Sequence, residues 1–375
     1  MAKAFLFEAS TLTLISKSIT VNGTYNASSD GADGYSSVTV NVPATPAAPV
    51  LENDVTFYDY DGTIVASYTA ADFANLSAMP ANPTHTGLTA QGWNWTLADA
   101  KTYVASYRKL NIGQMYATTS GKTEYDIILD ESTGLTVETL FGGNSTDWGD
   151  GITNSSASHT YSNYGAYTIK FTATTAPKLT ANEMQIVQHI RLAQGVLWGN
   201  ERIGSPRLKT ITISDVSSTI SQRAGNCFAL QAVIVPKNCN ITTYAFRECN
   251  SLKIICLPPS FTALTSTFLQ NNFALQSITI PNGVTTIGSL SLQNCKSLQS
   301  ITIPSSVTSI ASQSMQYMDN AKTVWVYATT PPTLSDITGM PPNVTKIYIP
   351  NGTLSAYQTA SNWSNFSSKF VELPA

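Results

Sequence analysis

The second half of the chain repeats itself, and this repeat constrains the fold more than any other feature. Five copies stand in register with a period of 22 to 23 residues: SPRLKTITIS, CFALQAVIVP, CNSLKIICLP, NFALQSITIP and CKSLQSITIP, with the leading Leu at 208, 230, 252, 275 and 298. In each copy, alternating apolar residues predict a short strand with one buried face. Because a unit this small cannot bury that face alone, the copies are expected to stack into a solenoid.

The positions between the predicted strands keep the same register. Apolar residues recur at Phe261, Val284 and Val307, and again at Leu264, Ile287 and Ile310. From about residue 205 to 330 the chain closely resembles BspA-type leucine-rich repeats. The resemblance implies a ladder of small side chains inside the coil at one repeat position, filled by Cys227, Cys249, Asn272 and Cys295. These cysteines, and equally Cys239 and Cys256, are expected to be buried structural thiols rather than metal ligands or catalytic groups.

A second motif lies upstream, between about residues 120 and 176. It comprises Asp147-Trp148-Gly149-Asp150-Gly151, then His159-Thr160-Tyr161, then the alternating Tyr167, Ile169 and Phe171. The pattern resembles the WGDG…HTY signature of PKD-type β-sandwich domains. The resemblance implies that Trp148 packs in a sandwich core, that the glycines form a tight turn, and that Tyr161 closes the last hairpin. His159 is then expected to belong to a turn and not to catalysis.

The N-terminal segment Lys17 to Pro43 predicts two alternating strands, around Ile19 to Tyr25 and Tyr35 to Val42. The segment resembles a short module recurrent in tail and baseplate-associated proteins of phages that infect gut Firmicutes. The likeness implies a virion setting rather than a mechanism. Residues 43–50, PATPAAPV, follow as a stiff linker of the polyproline kind.

The turn between these two strands contains two carboxylates, Asp30 and Asp33. Carboxylates at this spacing are possible calcium ligands. Gly31 and Gly34 stand beside them, and Gly-Asp pairs are typical of turns, so turn chemistry is favoured while ion binding stays open.

Residues 59–63 read Asp-Tyr-Asp-Gly-Thr after an apolar run. This stretch resembles the signature of haloacid-dehalogenase-type phosphatases, in which the first Asp is the nucleophile and the second an acid/base. The surrounding pattern instead predicts an antiparallel hairpin, with Asp61-Gly62 at its turn and Asp59 as a solvated strand residue. About 60 residues separate the linker from the sandwich-like segment, too few for the doubly wound domain that a phosphatase needs.

Several further elements are predicted from caps and periodicity. Helices are expected from Thr69 to Leu76 and from Thr96 to Tyr107, each capped by its first Thr. Glu183 to Leu197 has an amphipathic pattern and predicts a helix with His189 at its surface or boundary. Near the end, a strand from Val344 to Ile349 and a helix beginning near Thr353 are expected to cap the last repeat.

Trp93 and Trp95 stand close to Tyr103 and Tyr107 of the second predicted helix. Such a group is most often a small aromatic core. If the two Trp side chains were exposed, they could instead stack on sugar rings. The sequence leaves both interpretations open.

The composition argues against several classes of partner. Charged residues make up 11% of the chain and the formal net charge is −3, with no long run of one sign, so nucleic acid and anionic lipid have little to bind. No stretch approaches about 18 uninterrupted apolar residues, so membrane insertion is not expected. Glu8 interrupts the apolar start, which favours a protein made in the cytoplasm without a signal peptide. The three His residues are far apart, and no catalytic residue, metal or cofactor is predicted.

These patterns together predict a mainly β, multi-domain chain made of small β modules, a PKD-like β-sandwich and a C-terminal leucine-rich-repeat solenoid. The predicted boundaries are 1–16 for an attachment segment, 17–43 for a β-hairpin module, 44–51 for the linker, 52–118 for an α+β module, 119–176 for the sandwich, 177–330 for the solenoid and 331–375 for the cap.

The function expected from this organisation is that of a non-enzymatic bacteriophage virion protein, a component of a tail fibre, baseplate or head fibre. Its N-terminal segment would contact other virion proteins, and its solenoid would bind a glycan or protein of the host surface. A homotrimer stays open, since fibres are usually symmetric. The alternative is a cell-surface leucine-rich-repeat adhesin of a gut bacterium, and a phosphatase is the third interpretation.

Overall fold

The computed structural model describes residues 21–22, 25–26, 34–35, 39–40, 54–107, 109–139, 145–172, 183–193, 205–215, 218–220, 225–241 and 245–374. The chain divides into two units, Met1–Glu52 and Asn53–Ala375. The whole is mainly β, with 33% strand and 12% helix, as predicted.

The described residues of the first unit form four short strands. They are β1 (Val21–Asn22), β2 (Tyr25–Asn26), β3 (Gly34–Tyr35) and β4 (Thr39–Val40). β1 pairs with β4 and β2 with β3, both antiparallel, which confirms the two strands predicted around a turn. Asp30, Asp33 and the linker 44–51 lie outside the described residues.

The second unit begins with a small α+β module. Its elements are β5 (Val55–Tyr58), β6 (Ile64–Tyr68), α1 (Ala70–Ala74), β7 (Leu88–Trp93), α2 (Leu97–Tyr107) and β8 (Leu110–Thr118). The sheet order is β6-β5-β8-β7. The antiparallel hairpin β5–β6 is confirmed, and β5 also pairs with β8 in parallel, which the sequence did not predict.

Both helices of this module begin where the sequence placed them. Thr69 Oγ1 accepts a hydrogen bond from Asp72 N at 3.1 Å, and Thr96 Oγ1 accepts one from Asp99 N at 3.1 Å. Each Thr therefore satisfies an N–H group that the first helical turn leaves without a partner.

The next six strands form two sheets around Trp148. They are β9 (Thr123–Leu129), β10 (Thr136–Glu138), β11 (Thr146–Asp147), β12 (Thr153–Asn154), β13 (Ser158–Thr160) and β14 (Gly165–Phe171). Among the described strands, β10 pairs with β13 alone, while β12-β11-β14-β9 form one side of a larger sheet. Trp148 is fully buried and the Tyr161 hydroxyl donates to its carbonyl oxygen at 2.8 Å. The PKD-type likeness itself stays a prediction.

The predicted helix over Glu183–Leu197 is wrong. A 3-10 turn at Glu183–Ile186 leads into β15 (Val187–Leu192), and 194–197 lie outside the described residues. β15 pairs antiparallel with β9, and the register shifts between Val187 and His189. The bulge puts two apolar residues three positions apart, Val187 and Ile190, on the same buried face, which imitates the spacing of a helix.

β15 also pairs in parallel with the first solenoid strand, so one nine-stranded sheet runs from β12 to β22. The solenoid has about seven turns. One side is built by β16 (Thr210–Ile213), β18 (Ala232–Ile234), β20 (Ile254–Cys256), β22 (Ser277–Ile278), β24 (Ser300–Ile303), β26 (Thr323–Val326) and β28 (Lys346–Ile349). The other side is built by β17 (Ser218–Ile220), β19 (Cys239–Ile241), β21 (Ala263–Leu264), β23 (Thr286–Ile287), β25 (Ser309–Ile310) and β27 (Thr333–Leu334). All pairings between these strands are parallel, and the apolar core lies between the two sides.

The C-terminal end covers the last turn of the solenoid. β28, α3 (Leu354–Thr359) and β29 (Phe370–Glu372) confirm the predicted strand and helix and add a strand parallel to β28. Two buried aromatic side chains fix this end to the coil. The Tyr357 hydroxyl donates to Ala328 O at 2.6 Å and Trp363 Nε1 donates to Pro332 O at 2.7 Å. No helix among the described residues is long and apolar enough to cross a membrane.

Candidate binding surface

Asp59, the candidate nucleophile, lies at the end of β5 and is only 5% exposed. Its Oδ2 lies 2.7 Å from His85 Nε2, and its Oδ1 accepts a hydrogen bond from Tyr60 N at 2.8 Å. The prediction of a solvated strand residue is therefore wrong. β5 is buried on both faces, because the helices cover Val55 and Phe57 while Tyr58 packs on the solenoid, so its burial does not alternate.

Three aromatic rings pack together beside Asp59. The rings of Tyr60, His85 and Tyr116 meet edge to face, with centroids 5.0 to 5.7 Å apart. Burial, and next the hydrogen bond to Asp59, raise the pKa of Tyr116. Within the described ranges, no group of three or more His, Cys, Asp or Glu side chains is arranged to hold a metal ion. In this arrangement Asp59 joins the hairpin turn to the loop before β7.

A second Asp–His pair holds the Trp-Gly-Asp-Gly turn. His159 lies on β13 rather than in a turn, which corrects the prediction, and it is 8% exposed. Its Nε2 lies 2.7 Å from Asp150 Oδ2, and its ring stacks on Trp148 with centroids 5.1 Å apart. Burial tends to raise the pKa of Asp150, but the hydrogen bond to His159 and the bond from Ile152 N lower it overall.

The lowered pKa of Asp150 predicts a pH-dependent contribution to stability. A carboxyl whose pKa is lower in the folded chain stabilises the fold above its unfolded pKa of about 3.9, and this contribution is lost as pH falls through the folded pKa. We expect Asp150→Asn to lower the Tm at pH 7 and to have a shrinking effect below about pH 4. Thermal unfolding of both proteins from pH 7 to 2 measures this, and a gap that stays constant with pH would contradict it.

The α+β module packs on the solenoid through buried polar contacts. The strands β16, β18, β20 and β22 belong to one side of the solenoid. We call the surface of these four strands that faces away from the core the outer face. Asn94 Nδ2 donates to Val235 O and Cys256 O, both at 3.1 Å, while Asn94 Oδ1 accepts from Gly113 N at 2.8 Å. Trp95 Nε1 donates to Leu257 O at 2.9 Å. The module therefore covers the outer face at these strands.

Burial and hydrogen bonding show whether Trp93 and Trp95 form an aromatic core or a sugar-stacking surface. The Trp93 and Trp95 side chains are 4% and 3% exposed, and both belong to one aromatic core with Tyr103 and Tyr107. Trp93 Nε1 donates to Pro80 O at 3.0 Å, so neither indole N–H is left for a ligand. The exposure that sugar stacking requires is absent for both side chains.

The predicted ladder residues Cys227, Cys249, Asn272 and Cys295 all have fully buried side chains at equivalent places in successive turns. Asn272 Nδ2 donates to Phe246 O at 2.8 Å, and the Cys295 thiol donates to Leu269 O at 3.3 Å. Burial raises the pKa of Cys295 to about 12, and burial followed by the hydrogen bond to Cys227 raises that of Cys249. The raised pKa values keep the Cys249 and Cys295 thiols protonated at neutral pH.

The five cysteines are all buried, which predicts how they react. Because the thiolate is the reactive form and burial disfavours it, we expect no labelling of the native protein by 5,5′-dithiobis(2-nitrobenzoate) within minutes. Unfolding in guanidinium is expected to expose all five thiols to the reagent, so that all five are labelled. Rapid native labelling of one ladder cysteine would contradict the buried assignment.

A row of long polar side chains follows the outer face. The residue directly after the leading apolar position of each repeat is Lys or Gln, and all six are exposed: Lys209, Gln231, Lys253, Gln276, Gln299 and Lys322. We call them the Lys/Gln row. Backbone hydrogen bonds connect neighbours in it, such as Gln231 N to Lys209 O at 3.3 Å and Lys253 N to Gln231 O at 2.9 Å. The row contains no acidic residue, so it presents donors along the solenoid axis.

The Lys/Gln row stands in the sequence strings RLKTI, ALQAV, SLKII, ALQSI and SLQSI. The repeat pattern predicts the buried apolar positions, and the row lies directly beside them. An aromatic pair was not predicted from the sequence. Trp325 and Tyr348 are cross-strand neighbours on β26 and β28, half-exposed, with rings stacked at 3.9 Å. Both lie beyond the strands that the α+β module contacts through Asn94 and Trp95.

Residues 218–332 match the BspA type leucine rich repeat region, in six copies. The match covers the solenoid strands from β17 to just before β27, and it supports the repeat assignment made from the sequence. No curated protein sequence matches the chain. The chain therefore contains a C-terminal β-solenoid of BspA-type leucine-rich repeats.

Proposed function

We propose that this is a non-enzymatic bacteriophage virion protein, a tail-fibre, baseplate or head-fibre component that adheres to the host surface. The observation that carries the proposal is the Lys/Gln row, an exposed and regular line of donors on a rigid solenoid. Such rows suit recognition of an extended surface ligand. The N-terminal segment, by its likeness to phage tail and baseplate modules, would contact other virion proteins.

The contrast between the row and the Asp-x-Asp-Gly-Thr stretch supports binding over catalysis. The row is open to solvent, whereas Asp59 has both oxygens occupied and aromatic rings around it. A nucleophile needs access to the substrate in a suitable geometry. The open polar surface of this chain favours adhesion.

A cell-surface adhesin of a gut bacterium is the second candidate, and the repeat match fits it equally well. Mass spectrometry of density-purified phage particles and of cell envelopes from the same source separates the two. The virion role predicts enrichment of this protein in the particle fraction. Recovery in the envelope fraction with none in particles would overturn the virion role and favour the bacterial adhesin.

A further inference from the structure

A groove of about 450 Å³ lies where the β5–β6 turn approaches the Lys/Gln row. Asp61, Thr63 and Ile64 line it from the hairpin, and Lys209, Gln231 and Lys253 line it from the solenoid. The hairpin is held in place by Tyr58, which packs with Ile234, Ile254 and Cys256 of the outer face. Both walls therefore belong to packed elements of one unit.

Two lysine side chains of the groove, Lys209 and Lys253, supply its positive charge. In the part of the chain that the structure describes, neither Lys209 nor Lys253 takes part in an ion pair. They stand two strands apart in a parallel ladder, so their backbones are about 10 Å apart, twice the usual strand spacing. Gln231 stands between them and offers both a donor and an acceptor. This spacing fits a ligand with one negative charge per disaccharide.

The hairpin wall supplies the complementary groups for a sugar. Asp61 Oδ1 accepts a hydrogen bond from Thr63 N at 2.9 Å, and its Oδ2 has no partner within the described residues. That oxygen and the Thr63 hydroxyl can bind sugar hydroxyls. Ile64, 59% exposed, offers an apolar contact for the C–H face of a sugar ring.

A peptide fits this groove less well. Peptides that join a sheet need an unpaired strand edge, whereas β16, β18 and β20 are paired on both sides. Peptide side chains also need apolar pockets, and Ile64 is the one large hydrophobic side chain of high exposure among the residues that line the groove. Regular hydroxyl groups and periodic charge match the regular row instead.

We propose that the groove binds an anionic polysaccharide with alternating acidic and neutral sugars, with carboxylates at Lys209 and Lys253 and hydroxyls at Gln231 and Asp61. The inference rests on the proposed adhesive function and names its ligand class. The rest of the Lys/Gln row would extend the contact along the solenoid axis.

Calorimetry of the full chain with hyaluronan hexasaccharide tests the proposal, because this probe alternates a uronate with a neutral N-acetylated sugar. We expect binding that weakens with added salt, and much weaker binding of the uncharged chitohexaose. The double variant Lys209→Gln/Lys253→Gln is expected to bind hyaluronan about tenfold more weakly, since two partly exposed charge pairs are lost. The control Lys369→Gln removes the same kind of charge from the C-terminal end and should bind as the wild type does.

Three results would overturn the inference: no hyaluronan binding, equal binding by the double variant and the wild type, or equal affinity for poly-glutamate. Circular dichroism checks that both variants keep the fold. Adhesion of the double variant to cells distinguishes this inference from the proposed function. If that variant adheres as the wild type does, the groove assignment fails while adhesion stands; if the wild type adheres to no cells, adhesion itself fails.

Discussion

Replacing Asn94 with Ala is expected to reduce the free energy of unfolding by about 3 kcal/mol or more. Asn94 is fully buried, and its side chain makes three hydrogen bonds, two to solenoid carbonyls and one from Gly113 N. Without the amide, Val235 O and Gly113 N lose this buried partner, whereas Cys256 O keeps its hydrogen bond from Val235 N at 3.0 Å. Each buried group left unsatisfied costs about 1–3 kcal/mol. The α+β module should therefore be less firmly held on the outer face.

Urea denaturation followed by circular dichroism measures the effect. Asn75→Ala is the matched control, because Asn75 is exposed and its amide makes one bond to Ala71 O in the same module. We expect the control to lose less than about 1 kcal/mol. A loss of the same small size for Asn94→Ala would contradict the role given to this side chain.

Gly149→Ala is expected to be the second severe change. Gly149 has φ of +82°, and a Cβ there would lie 2.6 Å from Thr168 O and 2.9 Å from Thr168 N on β14. A side chain in the left-handed region costs about 1–2 kcal/mol, and the overlap with a backbone that cannot move away adds about 1–3 kcal/mol. We expect a loss of about 2–5 kcal/mol in the free energy of unfolding.

Gly151→Ala separates the two causes of that loss. Gly151 has φ of +92° in the same turn, but nothing lies within 4 Å of the Cβ position. Its substitution should show only the backbone cost, about 1–2 kcal/mol. Equal losses of stability for the two variants would mean that the close approach to Thr168 does not contribute to the cost of Gly149→Ala.

The sequence predicted the elements that depend on local or periodic signals. The solenoid follows from the repeat, and the helix starts at Thr69 and Thr96 follow from capping chemistry. The domain boundaries stay predictions. The sheet that continues from β9 through β15 into β16 joins the predicted sandwich and solenoid, a non-local pairing that no local pattern encodes.

The errors have physical causes of the same non-local kind. Asp59 was expected in solvent because its strand alternates in sequence, yet His85 and Tyr116 lie against its carboxylate. The segment 183–197 was expected to be helical because its apolar residues have an amphipathic spacing. In the structure, a β-bulge in a strand places Val187 and Ile190 on one face and so produces the same spacing. In the candidate site, Lys209 and Lys253 stand in two of the five quoted repeats, but only the fold shows that the β5–β6 turn makes a groove with them.

The central claim is adhesion to a cell surface, and a saturation binding experiment tests it most directly. Fluorescently labelled full-length protein is added to bacterial isolates from the source of the particles, with and without an excess of unlabelled protein. The account predicts saturable binding to a subset of isolates. An excess of unlabelled protein displaces this binding, whereas an excess of an unrelated β-rich protein of similar size does not displace it. Binding to no isolate, or binding that the unlabelled protein fails to displace, would contradict it.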